Sequence, residues 1–511
     1  MDSILSESKK ELLGRLLRSG AMPIARKPGI QPRTPGTDAP MSYGQQLVWL
    51  HSQFSTDVPL YNEPVTVHRL GPLDRLALEK AFTEIIRRHE AWRTTFGWKG
   101  AELVQRIQPA PEHISFPFVD VSTLPEAERE PAALKLATED VLAPFDLAVG
   151  PMYRPRLVRF SEGEHRLFLA LHHIIFDGVS LYRVFLPELQ ILYDAFSQGK
   201  PSPFEELPLQ FADYAVWHRK WVEEIAPAQL AYWREKLKGV ERRDILRPDR
   251  ARTGTEIFHG AMETVALDIP TSAALKDLSR RSGVTLFMTL LASFLTLIWA
   301  YTREDDLLTG GTSAGRNRTE TDNMMGFFLN TVVLRTDMSG DPTFLEVMQR
   351  GREELLNALA NDGLPFATLV KELAPQRDGS KNAFFQVSFS FEPSLAPLGP
   401  NWKFTQMDIE TGAAKFDLHL ELDERHDGII GRFIYNADLL NRDTIDEMLE
   451  SWQTIVRRAI ADPSIRISKL VPPLEELWKV PSSVQPAASQ SRASERSSGL
   501  MQSIRRRFRR N

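Results

Sequence analysis

The chain has 511 residues and no cysteine, which excludes disulfides, thiolate metal sites and a cysteine nucleophile. Lys and Arg number 62 against 67 Asp and Glu, a net charge of −5, whereas a nucleic-acid footprint over the whole body calls for the opposite sign. Five arginines sit in 505–510, which leaves 57 basic against 67 acidic residues elsewhere: a mildly acidic body of −10 with a basic tip.

In chain order, residues 1–20 read as a short amphipathic helix with Leu12, Leu13, Leu16 and Leu17 on one side and Gly20 as its stop. They hold no uninterrupted apolar core or small-residue cleavage site, so no secretory signal is read and a cytoplasmic location is expected. Residues 21–40 carry five prolines and read as an extended linker. From Met41, Val65–Leu70 alternates as a strand, and Asp74 caps a helix whose apolar face is Leu78, Phe82, Ile85, Ile86 and His89. Arg156–Phe160 and Arg166–His173 read as strands. A helix follows from Ser180 to about Phe196, with Pro187 expected to kink it or delay its start. Residues 217–250 look like a helical crossover. A second strand–helix alternation runs from about 258 to 470, with strands at 306–310, 328–336, 384–391 and a pair within 415–436, and a last helix at 441–461. The pattern is α/β, twice over.

Val284–Tyr301 is uncharged and approaches membrane-spanning length. Thr285, Thr289, Ser293 and Thr296 make a small polar stripe opposite Leu286, Leu290, Phe294, Leu297 and Ile298, so the reading is a buried helix packed along its small face and no integral membrane segment. Serines crowd 481–499, and disorder is expected there. Near the end, Leu500, Ile504 and Phe508 share one helical face beside the arginines; residues 1–20 and the tip Leu500–Arg510 are candidate docking segments, the tip suited to an acidic partner or an anionic surface.

The sharpest chemical feature is L-H-H-I-I-F-D-G-V-S at 171–180. A strand ends at His172 and His173, and Asp177-Gly178 makes a tight turn before the next helix. Histidine handles protons near neutrality, and acyl transfer to an amine or hydroxyl needs such a group beside the nucleophile. Asp177 would fix the loop by pairing with an arginine. The plainer alternative is two buried histidines satisfied by backbone, with Asp-Gly merely a turn. Adjacent histidines point to opposite sides of a strand, so a shared metal is not expected.

Here the sequence resembles the condensation domain of nonribosomal peptide synthetases, within the chloramphenicol acetyltransferase-like superfamily. The family signature HHxxxDG reads as His172, His173, Asp177 and Gly178. Met41–Leu50 looks like the family's opening motif, Arg88–Phe96 like its second, Gln210–Trp217 its fourth and Met325–Arg335 its fifth, with Ser313–Arg316 before it. Asn361–Phe366 and Arg377–Asn382 are similar to the sixth and seventh. The order holds over about 40–470.

The resemblance implies two lobes, each like one chloramphenicol acetyltransferase subunit, forming a V-shaped pseudo-dimer with a central tunnel: an N-terminal lobe over 41–216, a crossover over 217–250, a C-terminal lobe over 251–470 and a tail over 471–511. Donor and acceptor would arrive as thioesters on the 4′-phosphopantetheine of partner acyl or peptidyl carrier proteins. The acceptor amine would attack the donor to form an amide. His173 is implied as the catalytic histidine and His172 as its support. Asp177 would form a structural salt bridge, with Arg93 the first candidate partner and Arg335 the second. Gly178 would line the tunnel, with Asn330 and Ser313 in the second lobe. Trp49, Trp92 and Trp217 read as core aromatics.

Val179 stands where many relatives have tryptophan, and Tyr61-Asn62-Glu63-Pro64 looks like relatives that receive a polyketide or fatty acyl chain. No LGGxS-type carrier motif is found and no adenylation region follows residue 470. The expectation is therefore a free-standing, monomeric condensation enzyme acting in trans, with no cofactor of its own. The alternatives are an O- or N-acyltransferase using coenzyme A thioesters, and a non-catalytic module that gathers carriers.

Overall fold

In the computed structural model, which describes residues 29–471 apart from 35, 55–57, 241–245, 253–258, 375–382, 393–397 and 406–408, the two α/β stretches become two halves with one large sheet each. The expected helix at 1–20, the serine-rich stretch and the basic tip lie outside the described residues. The first half runs β1 (Ala39–Pro40), α1 (Tyr43–Phe54), β2 (Asn62–Leu70), α2 (Arg75–Arg88), β3 (Thr94–Lys99), β4 (Glu102–Ile107), β5 (Phe118–Asp120), α3 (Glu126–Leu142), β6 (Tyr153–Ser161), β7 (Glu164–His172), α4 (Leu186–Phe196) and α5 (Phe211–Lys236). The second runs β8 (Gly260–Leu267), α6 (Ile269–Arg281), α7 (Leu286–Thr302), β9 (Asp306–Ser313), β10 (Asn330–Asp337), α8 (Phe344–Ala360), α9 (Phe366–Leu373), β11 (Val387–Glu392), β12 (Trp402–Thr405), β13 (Leu418–Arg425), β14 (Gly428–Asn436), α10 (Arg442–Ala461) and α11 (Ile467–Leu470).

The first large sheet has the order β12-β2-β7-β6-β5. Its middle strand β7 reads as an apolar run because both faces are covered. Leu167, Leu169 and Leu171 join the core with Phe82, Ile85 and Leu189, whereas Phe168 and Ala170 face Ala133, Ala137 and Val141 of α3. A central strand buried on both sides cannot slip register without exposing one set, so its last residues are held in place. The strand ends on His172, and His173 follows directly.

The second sheet has the order β10-β9-β11-β13-β14-β8. β11 and β13 pair in parallel, Ser388 opposite His419, Ser390 opposite Glu421 and Glu392 opposite Asp423. Val387, Phe389, Leu418, Leu420 and Leu422 are buried on one face. Strand periodicity places the alternating polar residues on the other. Behind the apolar face lies α7, buried from Met288 to Tyr301 as its small stripe suggested. Ser279 and Thr289 hydroxyls meet at 2.7 Å, and Trp452 Nε1 donates to Ser293 Oγ at 2.9 Å. Among the described residues no single helix is long and apolar enough to cross a membrane.

Four details refine or depart from the expectations. The proline-rich segment is not a free linker from Gly29 onward: Arg33 bonds Glu90 at 2.6 Å and Asp213 at 3.0 Å, and β1 pairs with β4. The boundary placed at 216/217 falls inside α5, which runs across it. The α-helix proper starts only at Leu186, with Pro187 in its first turn, so its start is delayed from Ser180 as expected. Residues Ser180–Phe185 form a π-helical turn, in which Leu186 N–H reaches back to Leu181, and this wider turn leads straight into α4 with the proline in its first turn, where a missing N–H costs least. Finally, β12 crosses from the second half to extend the first sheet, pairing Trp402–Thr405 with Arg69–Thr66, so the halves are stitched by main-chain hydrogen bonds.

Candidate active site

β7 delivers the histidine pair, and the ladder continues past its end: His172 N–H donates to Met152 O at 3.0 Å and His173 N–H to Tyr61 O at 2.8 Å. The two rings then diverge, as neighbours on a strand must. His172 is buried between Tyr61 and Phe145. Burial first, then the nearby charges of His173, Lys415 and Arg154, lower its pKa to about 3, so it is neutral. Its Nδ1 accepts from Ile174 N–H. This is a support role within the loop.

His173 lies differently. Its Nδ1 is 2.9 Å from the carbonyl oxygen of Phe176. A carbonyl can only accept, so Nδ1 carries the proton and the neutral ring keeps its lone pair on Nε2. The ring stacks on Phe176 at 4.8 Å and meets Phe327, from the second half, edge-on at 5.2 Å. A base with a fixed tautomer, a fixed plane and a part-exposed position is what an acyl transfer requires of a proton acceptor.

Asp177 is fully buried and fully used. Oδ1 accepts from Ser180 N–H and Ser180 Oγ, both at 2.7 Å, and from Arg316 Nη2 at 3.0 Å; Oδ2 accepts from Phe328 N–H at 3.1 Å. Arg316 also donates to the carbonyls of Thr321 and Met324 and lies over the Phe328 ring at 3.9 Å. Ser180 Oγ in turn accepts from Gly326 N–H of the second half at 3.0 Å. The Asp177 partner is therefore Arg316, and the expectation of Arg93 or Arg335 is corrected. Arg93 ends a turn whose geometry sends its guanidinium to Gln108 O and Glu90. Arg335 sits on the edge strand β10, faces outward, and pairs with Asp306 at 2.8 Å. Arg316 lies in the S-A-G-R stretch at 313–316, yet nothing local in the sequence indicates that it reaches a residue 139 positions earlier. Gly315 before it has φ +64°, and a Cβ there would stand 2.0 Å from Phe328 O, so only glycine lets the chain fold back under the loop.

The opposite wall comes from β11, β13 and β14. Glu392 lies against Gly178: a Cβ on that glycine would be 3.2 Å from Glu392 Oε2 and 3.3 Å from Tyr182. Glu421 and Asp423 share Arg432, at 2.9 Å and 3.9 Å. Burial raises Glu421, but Arg432, then His419, Lys415 and His173, more than offset it. Lys415 caps the ring of Tyr61 at 4.4 Å. These carboxylates escaped the sequence reading. Their one signal is the alternation in S-F-S-F-E and H-L-E-L-D, a polar sheet face with no helix to cover it.

Ser313 and Asn330 serve a different loop. Ser313 Oγ donates to Asp362, and Asn330 Nδ2 donates to the carbonyls of Asp362 and Leu364, both at 2.8 Å, while its oxygen accepts from Phe366 N–H. Asn330 also lines a cleft of about 420 Å³ between the halves, with Tyr43, Gly44, Trp217, His218 and Phe327. Trp217 is thus a wall residue stacked on Trp221, not a core aromatic, whereas Trp92 is wholly buried. Phe327 belongs both to this cleft and to the His173 packing, so the cleft ends one ring from His173. His218, lowered to about 4 by burial, adds a neutral ring to it.

With this geometry in place, the comparisons are decisive for the family. A family model described as Condensation domain matches residues 36–476. The chain belongs to the condensation-domain family. It is 40% identical over 436 residues to one of the proteins that make up the linear gramicidin synthase of Brevibacillus parabrevis, covering 84% of this chain and 8% of that protein. It is 34% identical to phosphinothricin tripeptide synthetase PhsC of Streptomyces viridochromogenes, covering 91% of this chain and 43% of that one. The chain thus spans less than half of these larger proteins. Among solved structures it is similar to the X-domain of teicoplanin biosynthesis in complex with OxyB, with a TM-score of 0.73 and 28% identity over 88% of this chain and 99% of that one. The fold is the α/β fold of a condensation domain, with two chloramphenicol acetyltransferase-like lobes. The family's work is condensation in nonribosomal peptide synthesis.

Proposed function

We propose that this condensation domain joins an acyl or peptidyl thioester to an amine acceptor, both tethered to phosphopantetheine arms of carriers supplied from outside these 511 residues. One observation carries the reading: His173 Nδ1 is tied to Phe176 O, which leaves Nε2 as the basic atom of that ring. As the amine attacks the thioester carbonyl, Nε2 takes its proton. The resulting imidazolium lies beside the tetrahedral oxyanion and can return the proton to the departing thiolate. Asp177 and Arg316 hold the loop across the two halves and take no part in proton transfer. The absence of cysteine from the sequence means that the thioester sulfur comes from the carrier or from coenzyme A.

The test is condensation in trans between an octanoyl-loaded donor carrier and a glycyl-loaded acceptor carrier. His173→Ala is expected to lower turnover by about 10²–10⁴-fold, without altering the denaturation midpoint. Unchanged turnover overturns the reading. Octanoyl coenzyme A in place of the loaded donor carrier separates carrier-bound from free thioester use. A second reading, a recruiting module, draws support from the likeness to an X-domain seen with OxyB; partner binding with no turnover by the wild type would favour it.

A further inference from the structure

Glu392 is the last residue of β11 and faces the glycine of the histidine motif from the other half. Among the described residues it makes no hydrogen bond and no ion pair, although its neighbours Glu421 and Asp423 share Arg432 and Asp177 is saturated. The groups that face it are Glu421 and Asp423 from β13, Asp177 and Tyr182 from the histidine loop, and Arg432 from β14. Three of these are acidic. A half-buried carboxylate with spare acceptor capacity in an acidic wall is a place for a cation.

The acceptor in the proposed reaction brings one. An α-amino group has a pKa near 8 and is largely an ammonium at neutral pH, yet only the free amine can attack. Two protons must therefore leave the nitrogen, and His173 accounts for the one released during attack. We propose that Glu392 receives the acceptor's ammonium beside Gly178 and takes its first proton, handing a neutral amine to the thioester next to His173. In balance, R–NH₃⁺ and the Glu392 carboxylate give R–NH₂ and the carboxylic acid; no bond to carbon changes, and the proton later leaves to solvent. Burial, then the charges of Glu421, Asp423 and Asp177, against Arg432, raise Glu392 to about 7, close to the group it would deprotonate. An alcohol acceptor carries no charge for this carboxylate, so the wall selects amines and hence amide formation. This inference rests on the proposed reading of the site.

The test is calorimetric binding at pH 7.5 of glycyl-aminopantetheine, an ammonium, and its N-acetyl derivative, a neutral probe one acetyl group larger, with the ratio of the two compared between wild type and variants. Wild type is expected to prefer the ammonium by about tenfold, the effect of one well-placed charge pair. Glu392→Gln should bring the ratio to about one, and Glu392→Asp should restore part of it. In the carrier assay, Glu392→Gln should slow condensation of the glycyl acceptor while sparing O-methylhydroxylamine, which is neutral at this pH. Equal binding of the two probes by wild type, or binding of neither, overturns the proposal. So does an unchanged ratio in Glu392→Gln. If that happens while His173→Ala still abolishes condensation, the role of Glu392 fails and the reading of the site stands.

Discussion

Two carboxylates meet at Gly178 from the two halves of the molecule, and they are treated in opposite ways. Asp177, wholly buried, has four hydrogen bonds and an arginine. Glu392 has neither among the described residues. Burying a charge is costly unless it is paired and bonded. Full pairing marks the tie that holds the halves together, and the missing partner marks where a substrate supplies what the protein does not. The histidines repeat the contrast: His172 is enclosed and bonded within its loop, and His173 keeps one nitrogen free.

The largest effect expected follows from the paired side. Asp177→Ala should lose about 3–5 kcal/mol of folding stability, because it leaves the buried Arg316 without its counter-charge. Arg316→Met should cost a similar amount. The double variant should cost clearly less than the sum, since each single change already removes the pair. Urea denaturation measures all three. Additive losses would mean that the contact is incidental.

Much of this contrast was open to sequence reasoning only on one side. The HHxxxDG residues are consecutive and lie at the end of a strand whose apolar run announces its central place, so the loop and its chemistry could be read directly. Arg316 could not be assigned, because the pairing depends on a chain reversal at Gly315 and on Phe328 closing over it. Arg93, the first candidate, and Arg335, the second, are both aimed elsewhere by the fold. Glu392 was harder still. It ends a strand with no motif around it, and its meaning comes from the glycine of the other lobe. The crossing of β12 into the first sheet is likewise a tertiary event, with only four residues of alternating pattern to betray it.

The next effect is acid sensitivity. Burial lowers His172 to about 3, and His218 and His419 to about 4. The folded rings stay neutral where the unfolded rings bind protons, so stability is complete above about pH 6.5 and is lost as pH falls toward 4. For His172 alone, the 1.5 units between pH 6.5 and 5 correspond to about 2 kcal/mol at 1.36 kcal/mol per unit. Denaturation midpoints of wild type and His172→Asn at pH 7.5 and 5.0 test this: the variant should lose less on acidification. An equal loss would contradict a buried neutral His172.

Glu392 gives the opposite sign. Its raised value, about 7, means that the folded protein binds this proton more tightly than the unfolded chain does. That contribution is present below the ordinary carboxylate range and is lost as pH rises through 7. Glu392→Gln should therefore stabilise the fold by about 1–2 kcal/mol at pH 8.5, discounted for its partial exposure, and do little at pH 4.5. Asp177→Asn should destabilise at both.

The smallest effect on stability, and the sharpest test of the contrast, is Gly178→Ala. The φ of Gly178 lies outside the left-handed region, so its backbone tolerates alanine. What the new methyl meets is the tip of Glu392 and the edge of Tyr182, at 3.2–3.3 Å. Had Glu392 been held as Asp177 is, the clash would strain a fixed network and cost about 1–3 kcal/mol, the usual penalty of overpacking. With no hydrogen bond to break, the carboxylate can swing aside, and the loss should stay below about 0.5 kcal/mol. The same swing carries Glu392 away from the amine. Gly178→Ala should then lose the preference for glycyl-aminopantetheine over its acetyl derivative, as Glu392→Gln does, but without the gain in stability at pH 8.5, since the half-buried carboxylate is still there. A large loss of stability with the preference intact would show that Glu392 is fixed in place, and would remove the distinction between the two carboxylates.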